Sequence, residues 1–344
     1  MSRKHMIIPI FIPHKGCPFD CIYCNQKVIS GQIQEMTQHQ MESIVERHLS
    51  TAAENAHIEI AFYGGSFTGI ETDKQIMFLE TASKYVQAGK IRGIRLSTRP
   101  DYIDEEIIER LRKYSVSTVE LGVQSLEPDV LLISGRGHTV EDVERACILI
   151  RDSGINLGIQ TMIGLPNSDY EKEIRTAIRC IDLKPKIVRI YPTLVIKNTY
   201  MEKMYLEGKY TPLNLNAAVG ICAKLLELYE QNGIKVIRIG LQPTDNINEN
   251  FDVLAGPFHP SFRQLVESRV FLFKIENYIK EYKLYTEHDI IIYTGKSCLS
   301  NVIGQRRENI EYLKAKYNFK KVEVICDERF KDEIFIRRLS DKVN

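Results

Sequence analysis

Val119-Glu120-Leu121-Gly122-Val123-Gln124 puts Val119, Leu121 and Val123 on one face and Glu120, Gly122 and Gln124 on the other, the period of two of a β-strand. Helical periodicity flanks it on both sides. Ile107, Ile108, Leu111 and Tyr114 recur at helical spacing behind the capping candidate Asp104, and Val143, Ala146, Cys147 and Ile150 do so behind Thr139. A strand between amphipathic helices is the repeating unit of a parallel sheet covered by helices, and outward from this one the unit repeats. Strands are predicted near Ile7–Ile12, Ile58–Tyr63, Ile94–Arg99, Leu157–Ile163 and Val188–Val195, with a further candidate at Ile234–Leu241. The expected class is α/β.

Strands buried on both faces should read as nearly continuous Val, Ile and Leu. Several here do not. By the period of two, Arg95, Ser97 and Arg99 share a face, as do Glu120, Gly122 and Gln124, then Gly158, Gln160 and Met162, and finally Arg189, Tyr191 and Thr193. An interior lined this way costs free energy unless a ligand or mutual hydrogen bonds satisfy it.

A chain of 344 residues with 44% hydrophobic and 26% charged side chains has the composition of a folded protein able to bury a sizeable core. Its 46 basic and 45 acidic residues leave a net charge of +1, so any contact with nucleic acid must use local basic patches. Lys184, Lys186 and Arg189 form one such group. Lys320, Lys321, Arg329, Lys331, Arg337 and Arg338, diluted by acidic neighbours, form another that reads as a solvated face. No apolar run approaches bilayer length and Pro9 interrupts the apolar start, so no membrane association and a cytoplasmic location are expected.

Character changes after Pro243. A barrel over 1–243 and an extension of unknown role over 244–344 are predicted. The extension should hold a helix from Ser261 to about Tyr282, a strand at Ile290–Tyr293, a helix at Asn301–Tyr317 and a strand at Val322–Ile325.

Of the eight cysteines, Cys147, Cys180, Cys222, Cys298 and Cys326 are scattered singly and read as small buried hydrophobes. Cys17, Cys21 and Cys24 are the exception. They lie in Gly16-Cys17-Pro18-Phe19-Asp20-Cys21-Ile22-Tyr23-Cys24-Asn25, directly after the first strand. In a parallel barrel, loops at the C-terminal ends of strands are where active sites form. Three thiolates offered to a four-iron cluster leave one iron able to bind a small molecule. A zinc-stabilised binding module, with His14 completing a Cys3His set, is the alternative on the same residues.

Cys-x3-Cys-x-Tyr-Cys resembles the signature of the radical S-adenosylmethionine superfamily, and Tyr63-Gly64-Gly65-Ser66-Phe67, after the second strand, resembles its Gly-Gly-Glu motif with Ser66 in place of Glu. Ser97–Tyr102, Glu120–Ser125, Gly135–Thr139 and Ile190–Ile196 further resemble the radical domain of the elongator catalytic-subunit family, which modifies wobble uridine in transfer RNA.

The resemblance implies a partial (β/α)6-type radical SAM barrel with a small C-terminal α/β extension. It implies a 4Fe-4S cluster on Cys17, Cys21 and Cys24, with S-adenosyl-L-methionine chelated at the open iron and cleaved to a 5′-deoxyadenosyl radical. Tyr23 would lie beside the adenine, and Gly64, Gly65 and Ser66 would meet the methionine amine. Ser97, Gln124 and Arg136 are candidates for the carboxylate and ribose, and Gly164 would let the backbone approach the adenine. A flavodoxin or ferredoxin would supply electrons, and transfer RNA is a candidate substrate.

The elongator family's acetyltransferase domain carries a Gly-rich pyrophosphate loop, which is not visible after Pro243. Gly295-Lys296-Ser297 reads as a turn. Gly122–Leu126 and Gly164–Pro166 also resemble oxygen-independent coproporphyrinogen oxidases, which makes a porphyrin or haem ligand the competing expectation.

Overall fold

The computed structural model describes residues 5–12, 21–24, 36–241 and 252–339. The boundary expected at 243 falls outside them. By compactness the chain divides into Met1–Asn214 with Leu228–Phe258, and Leu215–Glu227 with His259–Asn344.

The first unit is built on seven strands whose every pairing is parallel: β1 (His5–Phe11), β2 (His57–Tyr63), β3 (Gly93–Thr98), β4 (Val116–Gln124), β5 (Asn156–Ile163), β6 (Ile187–Pro192) and, past the short β7 (Val195–Ile196), β8 (Lys235–Ile239). Their spatial order is β1-β2-β3-β4-β5-β6-β8, so each main strand pairs with the next in the chain. β7 leaves this sheet and pairs antiparallel with β9 (Val253–Ala255).

Helices fill the crossovers: α1 (Gln38–Leu49), α2 (Thr72–Gln87), α3 (Glu105–Lys113), α4 (Pro128–Ile133), α5 (Val140–Asp152), α6 (Tyr170–Asp182) and α7 (Tyr200–Leu206); α8 (Leu215–Gln231) precedes β8 in the chain, and its Leu215–Glu227 stretch belongs to the second unit. Both expected caps form. The Asp104 side chain accepts from Ile107 N, and Thr139 makes a reciprocal capping box with Asp142. The result is the expected α/β partial barrel, with the sheet curled around a concave face.

The two faces of each strand have different fates. Ile94, Leu96, Val119, Leu121, Leu157, Ile159, Val188 and Ile190 are buried on the outer, helix-covered side. On the concave side, the polar residues satisfy one another. Glu120, with its side chain 1% exposed, accepts from both Arg95 (Nη1, 3.2 Å) and Arg189 (Nε, 2.5 Å; Nη2, 3.1 Å). Arg95 also holds Glu59 at 2.7 Å, and Arg189 donates to the Tyr63 hydroxyl at 3.1 Å. Gln160 bridges Ser97 and Glu120, at 3.2 Å to each. Of the two explanations for a polar interior, mutual pairing accounts for this layer. Arg189, grouped by sequence with surface lysines, is buried within it.

The second unit has its own core. β10 (Asp289–Thr294) runs parallel to β11 (Lys321–Cys326) and antiparallel to β12 (Ile334–Arg338). α9 (Phe262–Glu281), α10 (Leu299–Ile303) and α11 (Glu308–Tyr317) share one hydrophobic cluster with this sheet through Ile275, Ile279, Ile290, Ile292, Val302, Ile310 and Leu313. Two expectations are corrected. The single helix over 301–317 is broken, because Gly304, Arg306 and Arg307 take φ of 78°, 50° and 66°, which an α-helix cannot contain. β12 was not foreseen.

Gly295 does sit in a turn, its carbonyl accepting from Cys298 N at 3.1 Å, and a Cβ there would lie 2.1 Å from the Lys331 carbonyl oxygen. Close backbone approach explains this glycine. Cys147, Cys180, Cys222 and Cys298 are buried as expected, whereas Cys326 is exposed. In the basic group, Lys321, Arg329 and Arg338 are paired with Glu323, Asp327 and Glu287. Among the described residues, no helix is long and apolar enough to cross a membrane.

Candidate functional site

Cys17 and His14 lie outside the described residues; Cys21 and Cys24 do not. The backbone closes into a turn there, Cys24 N donating to Cys21 O at 2.9 Å. Ile22 anchors it, packing with Val195, Met201 and Tyr210, while its N–H reaches Ser134 O at 3.2 Å and its carbonyl accepts from Met201 N at 2.8 Å. A small apolar plug thus holds the thiol-bearing turn against β7 and α7. Cys21 is buried and Cys24 half-buried.

Arg136 reaches this turn from 115 residues away. Its Nη1 donates to Cys21 Sγ at 3.4 Å and its Nη2 to the Gly122 carbonyl at 2.5 Å. Arg99 fixes its backbone, donating to Arg136 O at 2.6 Å while pairing bidentately with Asp101 at 2.9 Å. Gly122 leaves room for this, since a Cβ there would sit 3.1 Å from Arg136 Nη2 and 3.2 Å from Gln124 Nε2. His138 lies in the same positive surroundings. Burial, with Arg136 and Arg99, pushes its pKa down to about 3, so it is neutral.

Gln124 carries two anomalies at the end of β4. Its φ of 68° is left-handed for a non-glycine residue, at the point where the β4–β5 register slips. Its Oε1 is buried without a hydrogen-bond partner among the described residues, as is the hydroxyl of Tyr23. Burial pushes the Tyr23 phenol well above its usual range, against the opposing pull of Arg136. Unsatisfied buried polar atoms are rare, and together they mark a place suited to a polar ligand.

The other expected residues are less open. Ser97 is engaged by Gln160 on the concave face. Gly65 and Ser66 line a small recess with Ile12, Phe62 and Phe67. Gly64, at φ 109°, is explained by crowding, because a Cβ would stand 2.5 Å from the Ile12 carbonyl oxygen. Gly164, at φ 74°, has both backbone groups occupied: its N–H donates to Glu173 Oε1 at 2.8 Å and its carbonyl accepts from the Tyr210 hydroxyl at 2.6 Å.

Glu173 was missed by sequence reasoning, since an acidic residue in the first turn of a helix has an ordinary explanation in the helix dipole. Here it also accepts from Ser168 Oγ at 2.7 Å and so ties the Gly164 loop to α6. Burial pushes its carboxyl up to about 7 from 4.5. The fold therefore favours the protonated acid, and that contribution is complete below about pH 4.5 and lost as pH rises through 7. Glu173→Gln should accordingly gain stability over the parent between pH 5 and 8, by on the order of 3 kcal/mol at most. Urea unfolding at the two pH values reads this out; an equal difference at both would refute it.

Residues 11–179 match the family model described as Radical SAM superfamily, and residues 185–271 match the Radical_SAM C-terminal domain. The chain belongs to the radical SAM superfamily. Its relatives among these enzymes include a tRNA uridine(34) acetyltransferase of Methanocaldococcus jannaschii, 35% identical over 184 residues, which are 48% of this chain and 34% of that protein. Elongator complex protein 3 of Saccharomyces cerevisiae is 32% identical over 165 residues, 47% of this chain and 29% of that one. The chain therefore spans about a third of the length of the curated relatives it matches first. Among solved structures, Elp3 of Methanocaldococcus infernus superposes with a TM-score of 0.61 at 22% identity, covering 83% of this chain and 64% of that one, which establishes the shared fold.

Proposed function

We propose that this radical SAM enzyme holds a 4Fe-4S cluster on Cys17, Cys21 and Cys24 and cleaves S-adenosylmethionine reductively to act on transfer RNA. The observation that carries the reading is the anchored Cys21–Cys24 turn, with the unsatisfied Tyr23 hydroxyl and Gln124 Oε1. The donor set fits. Thiolates are the ligands such clusters take, and the buried acceptor on Gln124 suits a hydroxyl or ammonium donor of the cofactor. Cys17, Cys21 and Cys24 would hold the cluster, which would supply one-electron reduction, drawn from a flavodoxin- or ferredoxin-type donor, for homolysis of the sulfur to 5′-carbon bond of S-adenosylmethionine and so for hydrogen abstraction from substrate.

The protein's task is positional. Ile22 fixes the turn against its apolar plug, and Arg136 places a guanidinium 3.4 Å from Cys21 Sγ. Tyr23 offers an apolar ring to the adenine, Ser97 and Gln124 address the ribose and carboxylate, and the Gly64-Gly65-Ser66 backbone meets the methionine amine. Gly164 contributes shape, since its own polar groups are engaged by Glu173 and Tyr210. Transfer RNA as substrate rests on what the relatives' names say of those proteins.

Anaerobically reconstituted protein given dithionite and S-adenosylmethionine should form 5′-deoxyadenosine, and Cys21→Ala should form none. Product from the variant at the parent's rate would overturn the assignment. The substrate is tested separately: transfer RNA should bind with an affinity that falls steeply with salt. Binding indifferent to salt, or none, removes that part of the reading.

A further inference from the structure

The N-terminal end of the same sheet carries a second cluster of ligand-type side chains that the chemistry above does not use. His5 opens β1 and His57 opens β2, and the parallel register makes them direct neighbours. Their ring centroids lie 5.2 Å apart at an interplanar angle of 34°. Glu59, two residues along β2 and so on the same face, brings in a carboxylate, with His5 Nε2 2.8 Å from Glu59 Oε2. One donor atom from each of the three lies within 4.8 Å of the other two.

The site is open on one side and braced on the other. The His5 side chain is 47% exposed and that of Glu59 7%, so an ion can arrive from solvent and meet a held carboxylate. Arg95 does the holding, at 2.7 Å from Oε2, while its charge is shared with Glu120. Among the described residues, no hydrogen bond reaches Glu59 Oε1, which leaves that oxygen to a metal. An ion pair alone would need only His5 and Glu59. The register-matched His57 supplies the third donor.

We propose that His5, His57 and Glu59 form a divalent metal site of zinc type that clips β1 to β2. Two imidazoles and one carboxylate, with water in the fourth position, are a ligand set that Zn2+ accepts. Arg95 is the outer partner that orients the carboxylate. Mechanically the site acts on an edge strand, since among the described residues β1 pairs with β2 alone. β1 also leads directly into the cysteine segment. Its seven residues separate the metal from that segment by about 20 Å, so the two sites load independently.

Cluster-loaded full-length protein, kept anaerobic, is titrated with Zn2+ against a chromophoric zinc chelator, and iron and zinc are counted per chain. The expected result is one zinc in addition to the cluster iron. His5→Gln and His57→Gln should each weaken zinc binding about tenfold or more, with iron content and far-ultraviolet circular dichroism unchanged. Zinc should raise the Tm of the parent and not of the variants. Zinc-edge X-ray absorption of the parent, which does not depend on how the variants fold, should show a nitrogen and oxygen shell with imidazole scattering. Absence of zinc binding, binding that survives in both variants, or sulfur in the first shell overturns the proposal.

Discussion

Glu120→Ala is expected to cost about 3–5 kcal/mol of folding stability, because it leaves two buried guanidinium groups without their shared carboxylate. Arg95 and Arg189 have side chains 9% and 8% exposed, and Glu120 is 1% exposed. Neither arginine can turn to water without leaving the interior. Arg95 retains Glu59, so the larger unmet charge falls on Arg189, whose other described partners, Tyr63 and Tyr191, are neutral phenols. Glu120→Gln should fall between parent and alanine variant, since an amide oxygen still accepts but carries no charge. Chemical denaturation of the three proteins measures this. An alanine variant within about 1 kcal/mol of the parent would show that the layer is not charge-balanced in the way described.

Gly64→Ala is expected to be the most damaging single methyl group in the first unit. The residue would have to keep φ at 109° and place its Cβ 2.5 Å from the Ile12 carbonyl oxygen. A strained backbone of that kind costs on the order of 1–3 kcal/mol before the clash is counted. Relief requires Ile12 to move, and Ile12 N is itself bonded to Tyr63 O at 2.8 Å. Displacement should pass into the adjoining cysteine segment, so the variant should show a lowered Tm and reduced iron per chain after reconstitution. Gly89→Ala is the control, because a Cβ at Gly89, also at positive φ, meets nothing within 4 Å. Equal iron incorporation in both variants would sever the link between Gly64 and the cysteine segment.

The sheet was legible because most of its strands keep one largely apolar face, and alternation such as Val119, Leu121, Val123 survives whatever its neighbours do. Partner choice on the other face was not. That Glu120 would meet Arg95 and Arg189, 25 and 69 residues away, depends on the register of four strands, β3 to β6, and a one-residue slip would turn those side chains outward. Arg136 was legible as a charged residue in a loop near the site, but its bond to Cys21 Sγ depends on a fold that joins positions 115 residues apart.

In the second unit, Gly304 inside a helical pattern reads as a tolerated glycine, and only the adjacent left-handed Arg306 and Arg307 reveal the break. Glu173 was hidden by its ordinariness. Nothing in its spacing distinguishes a carboxylate facing solvent at a helix start from one buried under a glycine loop.

Glu59, Arg95, Glu120 and Arg189, on β2, β3, β4 and β6, are locked to one another across five neighbouring strands, so this level of the concave face is occupied by its own salt links. A ligand held at the Gln124 end of β4 would therefore lie on the same strand face as a layer whose charges the protein balances for itself.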